Sequence, residues 1–154
     1  MAASKRKKIK QVEQPQKPRA TQEHDTEGYY KKHPAWNFNT CDTDMWPLSE
    51  ECAGCAFWSE ILPFLKSTET RTWGDILQTS KKQNHSIEAQ TLNPIAQKRL
   101  EQKYIEQESV ISLRITATHR LYGYIVDYVF NILWYDTGHG DNDTCVCRSH
   151  KRNT

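Results

Sequence analysis

The chain has 154 residues, 36% hydrophobic and 26% charged, with a mean hydropathy of −0.85. No apolar run approaches the ~20 residues that a membrane-spanning helix needs, which excludes such a helix. Five Trp and seven Tyr exclude a wholly disordered chain, and the length suits one domain of roughly 100–150 residues.

The net charge of +2 is unevenly placed. Residues 1–19 hold seven Lys/Arg against Glu13, a net +6, so the remainder, with 14 basic and 18 acidic residues, carries −4. A mildly acidic body does not attract nucleic acid by bulk charge, and any such contact there needs a local patch.

Residues 1–28 are rich in Lys, Gln, Pro and Glu and read as a disordered basic tail. Its Lys5-Arg6-Lys7-Lys8 run reads as a solvated segment or as a nuclear or nucleic-acid address. The tail has no apolar core of the kind a secretory leader carries, so a cytoplasmic protein is expected. In that compartment Cys41, Cys52, Cys55, Cys145 and Cys147 are expected as thiols or metal ligands rather than disulfides. Residues 29–154 form a single α+β domain in this reading, with 29–70 an N-terminal extension and 71–150 the core.

Alternation in Trp36-Asn-Phe38 predicts a short extended segment laid on the core. Phe57, Trp58, Ile61, Leu62 and Leu65 recur at helical spacing, which predicts a helix from about Ser49 to Lys66 that Pro63 kinks or ends early. Thr72-Trp-Gly-Asp75 fits a capping box opening a short helix to about Lys81. Asn93-Pro94 reads as an N-cap followed by proline at the first helical position. That helix is expected to reach about Gln107, with Ala96, Leu100 and Tyr104 on one stripe.

The apolar period then changes from helical to alternating. Residues 110–115, 119–126 and 128–135 are rich in β-branched and aromatic side chains and read as three strands, with Asp127 marking a tight turn between the last two. A turn-rich loop follows from Asp136 to Asp143, and Cys145-Val-Cys147 reads as a short final strand. The expected architecture is α+β, with two to three helices packed on one face of a three- to four-stranded antiparallel meander.

The stretch Ser112-Leu-Arg-Ile-Thr-Ala-Thr-His-Arg-Leu-Tyr-Gly-Tyr124, with Val129-Phe-Asn-Ile-Leu-Trp-Tyr-Asp-Thr-Gly-His139, resembles the sheet of the RelE/ParE toxin superfamily, closest to HigB-like and phage-derived relatives. The resemblance covers about residues 72–150. It implies a small α+β toxin fold and two activities: RelE and HigB members cut mRNA on the ribosome, whereas ParE members poison gyrase without cutting RNA. It also implies mRNA or the ribosome, and an antitoxin protein, as partners. Residues 1–70, the acidic body and the C-terminal Cys-x-Cys depart from the toxin pattern.

RNA cleavage by 2′-OH attack needs a base, an acid for the leaving oxygen and cations for the phosphate. Arg114, His119, Arg120 and His139 supply those types, the arginines holding phosphate and a histidine transferring protons. Arg120, Tyr122 and Tyr124 alternate onto one strand face, expected to be open, where the tyrosines stack bases. Arg148, Lys151 and Arg152 are terminal cations suited to phosphate. The same residues also fit an ordinary solvated sheet face and a frayed end. His85 is a weaker candidate.

Cys52, Cys55, Cys145 and Cys147, with His150 nearby, offer a zinc-ligand set in which one pair is C-x-x-C and the other C-x-C. Incidental thiols are the competing reading, and no cofactor is otherwise expected. Three readings therefore stand: a metal-independent mRNA endoribonuclease of a toxin–antitoxin or phage-related system, a non-catalytic protein-binding module on the same scaffold, and a small zinc-stabilised module.

Overall fold

Three long strands alternate in sequence and pair in sequence order. In the computed structural model, which describes residues 28–140 and 144–147, they are flanked by two short strands outside the expected meander. The strands are β1 (Ala35–Asn37), β2 (His85–Glu88), β3 (Ser109–Arg114), β4 (Arg120–Val126) and β5 (Val129–Asp136), in spatial order β1-β5-β4-β3-β2. The β2–β3, β3–β4 and β4–β5 pairs are antiparallel, whereas β1 runs parallel to β5 with Trp36 opposite Phe130. The expected antiparallel meander of three or four strands is thus a mixed sheet of five. The extended Trp36 segment belongs to the sheet itself.

Asp127 adopts φ 58° in the two-residue turn between β4 and β5, a conformation that Asp tolerates better than most residues. A register shift lies beside Tyr122 and Gly123, where Tyr122 pairs with Trp134 and Gly123 with Ile132, so Leu133 is the extra residue. Gly123 permits a close backbone approach: a Cβ there would meet the Phe130 ring at 2.7 Å and also the Asn131 carbonyl.

Helical elements are shorter than their apolar periods suggest. Gly54 takes φ 46°, so the first helix begins beyond it with a π-helical turn over Phe57–Ile61 and continues as α1 (Leu62–Glu69). The wide turn is closed by Leu62 N–H donating to the Phe57 carbonyl, and Pro63 then sits in the first turn of α1, where a missing N–H is tolerated. Thr72 Oγ1 accepts from the Asp75 amide at 3.3 Å, at the start of a second π-helical turn, Asp75–Thr79.

The Asn93-Pro94 start is as expected. Asn93 Oδ1 accepts from Ile95 N at 3.0 Å and opens α2 (Pro94–Gln102). That helix stops five residues before Gln107 because Tyr104 turns left-handed, with φ 54°. The Ile105 amide then bonds the Leu100 carbonyl and the Tyr104 amide bonds Glu101, the pattern of a Schellman cap. Tyr104 consequently leaves the apolar stripe and is 93% exposed.

The helices cover both faces of the sheet, not one. Ile61 and Leu65 of the first helix, with Trp73 and Ile76, pack on Ile111, Leu113, Leu121, Phe130 and Ile132. Leu92, just before α2, and Ala96 and Leu100 of α2 pack with Val146 on Val110, Tyr122, Leu133 and Trp134. Neighbours such as Val110 and Ile111 point to opposite sides of a strand, so the sheet lies between two apolar layers. Residues 29–70 and the region after 71 meet in the α1-side cluster through Ile61, Leu65 and Trp73. Residue 70 therefore marks no structural boundary.

Candidate functional site

Sheet register brings the polar residues of β3, β4 and β5 to one end. Arg114 lies opposite Arg120, and Arg120 opposite Asp136. The Arg120 side chain folds back and Nη1 donates to the Thr116 and His119 carbonyls, clamping the β3–β4 turn. It is 7% exposed, and burial, followed by the neighbouring Arg114, lowers its pKa. Arg120 is therefore committed to backbone, while Arg114 is exposed at the same end.

His119 ends that turn and leans toward the α1 side. Its Nδ1 lies 2.9 Å from the Tyr135 hydroxyl and 3.4 Å from Glu60 Oε2, and its ring stands edge-on to the Tyr135 ring at 5.6 Å. Burial, the Glu60 carboxylate and Cys52 all raise the Tyr135 pKa, so the phenol stays neutral and its oxygen can accept from Nδ1–H. Both contacts engage Nδ1 and leave Nε2 outside them. The His119 and Glu60 side chains keep 27% and 39% exposure, while Glu60 Oε2, the oxygen facing His119, is buried. The expected list includes His119 without its partners. Glu60 lies 59 residues away in a π-helical turn, and no local pattern joins the two.

The aromatic platform is corrected by burial. Tyr122 is wholly buried beneath the α2 layer, beside Ser112 on β3, and burial pushes its hydroxyl pKa up. Its ring offers no face to a base. Tyr124 is half-buried against the same layer, and burial raises its pKa too. The face expected to be open is covered because β3 and β5 are apolar on both sides. Trp58, one of the apolar residues at helical spacing in the first helix, is 71% exposed.

His139 belongs to a different cluster. Its amide donates to the Thr118 carbonyl at 2.9 Å, and its Nδ1 lies 3.8 Å from Cys145 Sγ and 3.6 Å from Cys147 Sγ. Those two sulfurs are paired as a disulfide, contrary to the expected thiols. Cys145 and Val146 are fully buried. Asp136 holds the arrangement: one carboxylate oxygen accepts from Gly138 N at 2.8 Å and the other from Val146 N at 2.9 Å. Burial raises the Asp136 pKa, against the opposing pull of these amides, His139 and Arg120.

The four-cysteine zinc set does not assemble. Cys52 and Cys55 are exposed thiols on a segment whose Ala53 packs in the α1-side cluster, whereas Cys147 packs on the α2 side. Among the described residues, the His139, Cys145 and Cys147 donors converge instead. No strand is assigned over Cys145-Val-Cys147. Arg148, His150, Lys151, Arg152 and the Lys5–Lys8 run lie outside the described residues. His85 is exposed on the edge strand β2.

A further polar pair was not anticipated. Asp42 is 1% exposed and accepts both Arg99 Nε and Nη2 at 2.8 Å, with Trp134 Nε1 at 3.2 Å. On the α1 side, Phe38, Leu48, Cys55, Phe57 and Trp58 line an open apolar groove of about 630 Å³. No protein-family model matches the chain, and no curated protein or solved structure matches it either. No helix among the described residues is long and apolar enough to cross a membrane.

Proposed function

We propose that the protein is an RNA-cleaving enzyme of the toxin type, acting on mRNA at the end of the sheet that carries His119. The observation that carries this reading is His119 Nδ1 held 2.9 Å from Tyr135 and 3.4 Å from Glu60, at the sheet end where Arg114 is also exposed. A carboxylate near one imidazole nitrogen favours the tautomer whose other nitrogen is basic. Nε2 then takes the 2′-OH proton as that oxygen attacks the adjacent phosphorus; the P–O5′ bond breaks to leave a 2′,3′-cyclic phosphate, and the departing 5′-oxygen takes its proton from water. Arg114 holds the phosphate charge as it develops. Arg120 positions the turn that presents His119. The resemblance of residues 112–139 to RelE-like sheets points the same way.

The test is inducible expression in a bacterial host of wild type beside His119→Ala and Arg114→Ala, following growth and transcript integrity. Arrest with cut transcripts in wild type is expected. Loss of a general base lowers such a rate by roughly 10²–10⁴-fold, so the His119 variant should leave transcripts intact. Unaffected growth and whole transcripts with soluble wild-type protein would overturn the reading. A binding role would then take its place, favoured by Trp58 at 71% and Phe38 at 44% exposure along the apolar groove.

A further inference from the structure

We propose that His139, Cys145 and Cys147 form a binding site for a thiophilic divalent cation, Zn²⁺ foremost, in the dithiol form of the chain. Thiolate and imidazole are the donors that tetrahedral zinc prefers. With Zn–S near 2.3 Å and Zn–N near 2.0–2.1 Å, a tetrahedral site requires S···N edges of about 3.6 Å and an S···S edge of about 3.8 Å. The two S···N separations here are 3.8 and 3.6 Å. The imidazole therefore already stands at coordination distance from both sulfurs.

The three donors are fixed by groups that are not ligands themselves. Asp136 accepts the Gly138 and Val146 amides, so one carboxylate joins the loop carrying His139 to the segment carrying both cysteines. Trp46 Nε1 donates to the Thr144 carbonyl at 2.8 Å, and Asn93 Nδ2 to the Cys145 carbonyl at 3.2 Å. Val146, between the ligands, is buried in the α2-side core. Supports of this kind orient the ligands of natural metal sites. Two thiolates neutralise a divalent ion, so the loaded site has no net charge to desolvate. His139 and Cys147 are only half-buried, and the fourth position falls to water.

Opening the site takes two electrons from a thiol or phosphine reductant, with two protons from the thiols or, for the phosphine, from the water that becomes its oxide oxygen, which together convert the Cys145–Cys147 disulfide to two thiols. Metal binding then releases the two thiol protons to solvent. The paired sulfurs of the present structure are thus the oxidised, metal-refusing form of the same three-donor group.

The test uses the full chain, stripped of metal, reduced and titrated anaerobically with Co²⁺. Tight uptake of one equivalent with a sulfur-to-cobalt charge-transfer band and tetrahedral ligand-field bands is expected, reversed by Zn²⁺ and absent from the oxidised chain. Cys147→Ser and His139→Asn should each weaken binding at least about tenfold, and Asp136→Asn by about 10–100-fold. Cys52→Ser/Cys55→Ser should keep the full band. A reduced wild-type chain without the band would overturn the proposal, as would a band that survives Cys147→Ser but disappears with Cys52 and Cys55. Because Cys145 is buried and its variant risks misfolding, the wild-type titration and the half-buried Cys147 decide the outcome. The metal readout is independent of RNA cleavage.

Discussion

A left-handed Tyr104 and a buried Asp42 show how single residues set local stability. L-residues pay roughly 1–2 kcal/mol in the left-handed region, which glycine enters freely. Tyr104 adopts φ 54° and is 93% exposed, so its ring returns no packing. Tyr104→Gly is therefore expected to raise stability by about 1 kcal/mol, read as a higher urea midpoint with an unchanged slope. Asp42 behaves oppositely. Burial works to raise its pKa, but the Arg99 guanidinium, the Asp44 and Met45 amides and Trp134 outweigh burial and bring it to about 2. A carboxyl depressed in the folded state stabilises it above the unfolded pKa. That contribution is lost as the pH falls from about 4 towards 2. Arg99→Met should accordingly destabilise strongly at pH 7, where it strands a buried carboxylate, and much less near pH 2. An equal loss at both pH values in urea unfolding would dissociate Arg99 from that charge.

Elements divide between those that announce themselves locally and those that exist only through a distant partner. β1 is three residues long, yet its Trp36 stacks edge-on against Trp73 and Phe130 at 5.8 Å each. Asn37 Nδ2 donates to Asn131 Oδ1, the Asp42 amide to Leu133 and Thr40 Oγ1 to Ile132, so residues 35–42 sheathe the outer side of β5. Removing residues 1–70 strips Ile61, Leu65 and Trp36 from a cluster whose other members include Trp73, Phe130 and Ile132. Loss of several buried large side chains at about 2–5 kcal/mol each exceeds the stability of an ordinary domain. A chain beginning at Arg71 should be unfolded by circular dichroism, although the full chain folds.

For the whole molecule, the α+β class and β3, β4 and β5 were readable because alternation, β-branched residues and the Asp127 turn agree. β2 was not, since three of its four residues are exposed and polar and nothing separates such an edge from a loop. The second helical layer had a signal in the unbroken Ile132–Tyr135 apolar run, every residue of which is buried. Strands covered on both faces read as continuous runs rather than as alternation. The site was half readable. His119, His139 and the Cys145/Cys147 pair stood out by type, but the grouping of His139 with the cysteines depends on how Asp136 folds the loop, and Glu60 reaches His119 only through the packing of the first helix on β5.

The parallel pairing of β1 with β5 also governs how the chain is made. Asn37 and Asn131 are 94 positions apart, so at roughly 5–20 residues per second a ribosome takes about 5–20 s to supply the partner after β1 emerges. During that interval Trp36, Phe57 and Ile61 have no sheet to cover them, and the nascent chain presents an aromatic-rich surface to any factor waiting at the exit tunnel. The last strand synthesised is thus the one that converts a sticky intermediate into the finished protein.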